Sequence, residues 1–241
     1  MSFCSILIYD TKIIKYSVNS QQVLCKKHTV ELAGLLIIFC MSLIVEQRHI
    51  LFLHIEKNAG TSITNWLDDY AHHNKDKTYL VQSRHVEWRK IPSPYNSYWT
   101  FCVVRNPWSR LVSRYNYDLI TYPKKYMSGE GDYFLKVYKK LQLGFEHWIK
   151  NDVYTLPMVE HRMKWQNQCD IFQGCNDITI LKYECIQEDF KQIQNKLRWY
   201  KPLPHANKTI ECDYKDFYTT ELVGIVAEKY KKDIKEFNYV F

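Results

Sequence analysis

One pattern occurs twice in this chain and restricts its fold more than any other feature: a short apolar strand, a polar turn, then an amphipathic helix. In the first copy Ile50, Leu51, Phe52, Leu53 and Ile55 form a nearly continuous apolar run around His54, the signature of a strand covered on both faces. A turn with Asn58, Ala59 and Gly60 follows, and Thr61 or Ser62 is placed to cap a helix. Its Ile63, Trp66, Leu67 and Tyr70 fall at i, i+3, i+4 and i+7 on one apolar face. In the second copy residues 98–104 form the strand, Arg105 and Asn106 the turn, and Pro107 takes the first helical position. Trp108, Leu111, Val112, Tyr115 and Leu119 then continue one helix face. A third strand is expected at residues 178–181, before a helix near 188–197, and a last helix from about Thr220 carries Val223, Val226, Tyr230, Ile234 and Phe237. Such alternation predicts an α/β domain of three layers with a mostly parallel central sheet. In such sheets ligands sit beyond the carboxyl ends of the strands, where both turns lie.

Composition narrows the class further. The 241 residues include 33 Lys and Arg against 26 Asp and Glu, a formal net charge of +7, and the length suits one domain. With only 7 Gly and 7 Pro but 15% aromatic residues, collagen-like, linker-like and disordered classes are excluded. The basic balance favours anionic partners such as phosphates, sulfates, acidic glycans, nucleic acid or a membrane surface. The 8 cysteines contain no C-x-x-C pair and no His at finger spacing, so no metal is expected. Cys169 and Cys175 are near enough in sequence for a local disulfide in an oxidising compartment, with two buried free thiols as the alternative. His72 and His73 lack a ligand partner at helical spacing and are expected at the solvated surface.

Residues 1–48 read as an N-terminal extension, and residues 49–241 as the folded domain. Residues 32–45 are uncharged and apolar, preceded by Lys26-Lys27 and followed by Glu46 and Arg48. This charge arrangement makes them a candidate signal anchor with its N-terminus in the cytosol. The run falls short of the about 20 residues a span needs and stands very near the first strand, so a buried helix or a non-membrane extension is the alternative.

Chemistry concentrates in the two turns. In the first, His54-Ile55-Glu56-Lys57-Asn58-Ala59-Gly60-Thr61-Ser62, a glycine-bearing turn feeds a helix N-terminus, whose backbone N–H groups suit an anion. Lys57 adds a positive charge, and Thr61 and Ser62 add hydroxyl donors. It is not a Walker loop, which sets its lysine directly before the hydroxyl residue. In the second, Arg105 emerges at the end of a buried strand, where a guanidinium needs an anion or carboxylate to meet it. Ser109 and Ser113 lie four apart on one helix face, so Arg105 and Ser113 are expected to grip one phosphate together.

These two ordered motifs, H-x-x-K-x-A-G-T-S and R-N-P-x-x-R-x-x-S-x-Y, resemble the paired phosphate-binding signatures of sulfotransferases, specifically the carbohydrate sulfotransferases of the family 2 type. The resemblance extends to Lys182-Tyr183-Glu184, to Glu188-Asp189-Phe190, to Leu203-Pro204-His205-Ala206-Asn207-Lys208-Thr209, and to Tyr230-Lys231-Lys232-Asp233 with Phe237-Asn238-Tyr239. It implies a P-loop-like fold and the donor 3′-phosphoadenosine 5′-phosphosulfate. By the same resemblance Lys57 contacts the sulfate-bridging oxygen, Asn58, Ala59, Gly60, Thr61 and Ser62 belong to the 5′-phosphate cradle, and Arg105 and Ser113 hold the 3′-phosphate. Glu56 stands where the family usually has proline, and Asn58 where threonine is common, so donor affinity suffers unless Glu56 points away. If the anchor holds, the family also implies a membrane protein facing the Golgi lumen; a cytoplasmic protein is the alternative.

Sulfuryl transfer needs a base for the acceptor hydroxyl, a cation for the charge developing on the leaving oxygen, and in-line placement of both reactants. Among the 9 histidines, His85 resembles the catalytic histidine of several glycan sulfotransferases, with Glu87 as the rival base and His54 as a packed strand-end residue. The expected acceptor is a glycan, with no nucleic acid among the partners. Lys124-Lys125 and Lys139-Lys140, near Tyr122, Tyr126 and Tyr138, suit guidance of an acidic glycan or are simply a wet face. Residues 203–209 are expected over the donor's nucleotide end. The competing functions are a P-loop kinase acting on a nucleotide or small molecule, and a catalytically silent member of the fold that binds a glycan.

Overall fold

The computed structural model describes residues 29–32, 35–38, 42–80, 87–152, 166–204 and 213–241. Its main sheet is built from β3 (Leu43–Val45), β4 (Ile50–Leu53), β5 (Thr78–Leu80), β6 (Trp99–Val104) and β7 (Ile178–Lys182), in the order β5-β3-β4-β6-β7. β4, β6 and β7 run parallel. β3 is antiparallel to both β4 and β5, so it alone opposes the common direction and the sheet is mostly parallel. Two further strands, β1 (Thr29–Leu32) and β2 (Leu35–Ile38), pair antiparallel in a separate small sheet.

The period-2 alternation of strands sends successive residues to opposite faces, and both faces are covered. Leu51, Leu53, Cys102 and Val104 join Trp108, Leu111, Val112 and Tyr115 of α2 (Pro107–Met127). Ile50, Phe52, Phe101 and Val103 join Ile63, Trp66, Leu67 and Tyr70 of α1 (Gly60–Asn74), with Phe190 and Ile193 beyond them. Each large apolar side chain so buried contributes about 1.5–3 kcal/mol. These are the three layers the alternation predicts, with each helix presenting the apolar face read from its spacing.

Several boundaries differ from the sequence expectation. The folded domain reaches back beyond His49, because Leu43, Ile44 and Val45 form a buried strand at the centre of the antiparallel pairings. Of the expected spanning run 32–45, Leu32 ends β1, 35–38 form β2 and 43–45 form β3, and no helix among the described residues is long and apolar enough to cross a membrane. α1 starts at Gly60, ahead of the expected Thr61 or Ser62 cap, with Ala59 as its N-cap and no side-chain cap. The last helix breaks at Tyr230 into Thr220–Lys229 and Lys231–Phe237, where a φ of −106° and ψ of 24° leaves the helical region. Cys169 and Cys175 are free thiols.

Candidate anion-binding site

The two repeated turns come together at the carboxyl ends of β4 and β6. In the first, Lys57 and Ala59 hold φ values of 68° and 60°, left-handed backbone that costs a residue with a Cβ about 1–2 kcal/mol. Other elements hold the loop in that shape. The buried Asn58 between them donates its Nδ2 to the Val103 carbonyl and to Gln168 Oε1, each at 2.7 Å. Arg110 Nε donates to the Glu56 carbonyl at 3.0 Å, and Arg105 Nη1 donates to the Lys57 carbonyl at 3.2 Å. Gly60 is required by contact: a Cβ there would stand 1.9 Å from the ring of His54, which is packed at 3% exposure as expected of a strand-end residue.

Lys57 Nζ lies 3.8 Å from the centroid of the Tyr117 ring, a cation–π distance. Burial pushes its amine down to about 8, with the nearby Glu56 pulling the other way. Glu56 itself is turned to Arg114. Arg114 also donates through Nε to Asp118 at 2.7 Å and through Nη2 to the Tyr122 hydroxyl at 3.3 Å. Burial works against the charge of Arg114, but Asp118 and Glu56 outweigh it and hold the guanidinium well above its usual pKa. The Glu56 carboxylate beside the lysine loop is therefore paired within the protein.

The second turn is organised around Arg105. Its guanidinium stacks 4.0 Å from the Tyr183 ring centroid, and its Nε donates to Ser109 Oγ at 3.0 Å. The hydroxyl bonded to Arg105 is thus Ser109, one turn before Ser113, which is buried on the same helix. Asn106 caps α2: its Oδ1 accepts from the backbone N–H of Trp108 at 3.1 Å and of Ser109 at 3.4 Å. Glu184 secures the turn by accepting from the Asn106 N–H at 2.7 Å. Arg110, only 2% exposed, carries a buried Nη1 with no hydrogen-bond partner among the described residues.

A third segment, silent in the sequence, joins the two turns. Gln168 opens the short helix Gln168–Ile171 and is fully buried. Its Oε1 accepts from Asn58 Nδ2 at 2.7 Å and from the Arg105 N–H at 3.0 Å, while its Nε2 donates to the Arg105 carbonyl at 2.8 Å and to Asp233 Oδ2 at 3.1 Å. No spacing rule marks such a residue, because each partner is distant in sequence. The only trace was Asp233, which falls within the family-like ending.

Lys57, Asn58, Ala59, Gly60, Thr61, Ser62 and Arg105 therefore gather in one place, and Ser113 lies a helical turn deeper. The Asn58 side chain is committed to Val103 and Gln168, so its part is to hold the loop. His85 lies outside the described residues, as do residues 205–209 of the expected nucleotide flap. Glu87 accepts from Arg89 Nε at 2.8 Å and Lys90 Nζ at 3.3 Å, and these bonds, that to Arg89 first, hold its carboxyl below the usual range. His72 and His73 are exposed, and no group of His, Cys, Asp and Glu that could hold a metal occurs among the described residues.

A lysine and an arginine on two joined turns, beside the N-terminus of α1, form a basic site for an anionic ligand. The family model described as Sulfotransferase family matches residues 41–240, a stretch that contains both turns, Gln168 and Asp233. The chain belongs to the sulfotransferase family. No curated protein and no solved structure matches it. In this sulfotransferase the match begins just before β3, in accord with that strand's place in the sheet.

Proposed function

We propose that this sulfotransferase moves the sulfuryl group of 3′-phosphoadenosine 5′-phosphosulfate to a carbohydrate hydroxyl by in-line displacement. The observation that carries this reading is the bond from Arg105 Nη1 to the Lys57 carbonyl, which joins two motifs far apart in sequence into one basic face. The residues present suit such a donor. Lys57 and Arg105 supply positive charge, the first turn of α1 with Thr61 and Ser62 supplies further donors, and Arg110 adds a buried Nη1 with no hydrogen-bond partner among the described residues. Lys57 places its charge where negative charge develops on the leaving phosphate oxygen.

His85 is assigned as the base that takes the acceptor's proton. The rival, Glu87, is held ionised by Arg89 and Lys90, which weakens it as a base. The net charge of +7 and the exposed Lys124, Lys139 and Lys140 favour an acidic glycan as acceptor.

Calorimetric titration tests the donor assignment. Adenosine 3′,5′-bisphosphate is expected to bind, and a preference for ATP with magnesium would replace this reading with a kinase. His85→Ala is expected to lower turnover about a hundredfold with bisphosphate affinity preserved. If Glu87→Gln has that effect and His85→Ala does not, the base is Glu87.

A further inference from the structure

We propose that Gln168 is a positioning residue of the donor site, setting the spacing between the lysine loop and the arginine loop through an amide that Asp233 locks in place. The inference rests on the donor-site reading given above.

An amide side chain offers two donor hydrogens and an oxygen with two lone pairs. In Gln168 all of this capacity is used inside the protein: two bonds accepted, from Asn58 and the Arg105 N–H, and two donated, to the Arg105 carbonyl and Asp233. The pattern also fixes which way the amide faces. Turned over, its NH₂ would meet the Asn58 NH₂ and the Arg105 N–H, and its oxygen would meet a carbonyl and a carboxylate. Asp233, fully buried, further accepts from the backbone N–H groups of Gln168 at 2.8 Å and Cys169 at 3.0 Å. Main chain and side chain of Gln168 are thus anchored on the same carboxylate.

The amide grips functional parts on both sides. Asn58 lies between the two left-handed residues of the lysine loop, and Arg105 carries the guanidinium of the second motif. A ligand that spans both motifs needs them at one separation, and small misplacements are costly at such sites. A buried amide with all its bonds made is stiff, which suits the task.

The test uses the full chain and adenosine 3′,5′-bisphosphate, with Gln168→Met and Gln168→Glu. Losing the amide bonds in Gln168→Met is expected to weaken bisphosphate binding about tenfold in protein whose circular dichroism remains native. In Gln168→Glu the new carboxyl faces the Arg105 carbonyl and the Asp233 carboxylate, so it keeps its proton in mild acid and donates one bond as the amide did. Its affinity relative to the unmodified chain should be near one at about pH 5.5 and fall about tenfold by about pH 7.5. Variants that melt at lower temperature yet bind the bisphosphate as the unmodified chain does, with a ratio independent of pH, would overturn the positioning role alone. Failure of the unmodified chain to bind would overturn the donor-site reading and this inference with it.

Discussion

The two strand-turn-helix units look alike in sequence, and both bring a helix N-terminus to the site, yet the two ends are finished differently. α2 is closed: Asn106 covers the first N–H groups, and its own N–H is taken by Glu184. α1 has Ala59 at the corresponding position and no side-chain cap. A capped helix has little backbone left to offer an anion, so the second unit works through the Arg105 side chain. An end with no side-chain cap suits backbone recognition, and the first unit accepts two left-handed residues to aim it. One repeated motif thus divides the labour of anion binding between backbone and side chain.

The strongest way to break this comparison is Lys57→Ala, which removes the positive charge of the lysine loop. Turnover is expected to fall about 10²–10³-fold with the fold intact; unchanged kcat would remove Lys57 from the chemistry. Because burial holds its amine at about 8, donor affinity should decline as pH rises through that value, and Lys57→Arg should abolish the decline. The sign for stability is the reverse. The unfolded chain retains this proton up to its ordinary 10.5, so stability contributed by this group rises between about 8 and 10. Next in size, Arg105→Ala should weaken bisphosphate binding by about 2–5 kcal/mol, and a loss below about 0.5 kcal/mol by calorimetry would show that the second unit does not bind through this side chain.

The smallest effects sharpen the contrast between the helix ends. Asn106→Ala should cost about 1 kcal/mol in thermal unfolding through its lost cap. Ala59→Gly relieves the φ of 60° and should stabilise by up to about 1 kcal/mol with binding retained. If Ala59→Gly destabilises instead, the left-handed turn is not where the strain lies.

What the sequence disclosed was periodic or local. The apolar spacing of Ile63, Trp66, Leu67 and Tyr70, and of Trp108, Leu111, Val112 and Tyr115, placed both helices on their faces of the sheet, and the turns after β4 and β6 placed Lys57 and Arg105 together. Single long-range polar contacts leave no such trace. Gln168 meets Asn58 and Asp233 across long stretches of chain, and a charge expected to oppose the donor is instead half of the ion pair between Glu56 and Arg114. The inward turn of Asn58 was equally hidden, because composition marks a polar loop residue without giving its direction. Residues 43–45 were misjudged for a related reason: an uninterrupted apolar run does not reveal whether it is covered by lipid or by a sheet.

The contact between Gly60 and the His54 ring makes these two positions one unit of inheritance. Any side chain at position 60 first has to displace the imidazole, so a substitution there is harmful or tolerated according to what occupies position 54. Effects at the pair are not additive. Where a variant library or a lineage changes the glycine, the accompanying change should be sought at the end of the strand, six residues upstream, before the loop is judged inactive.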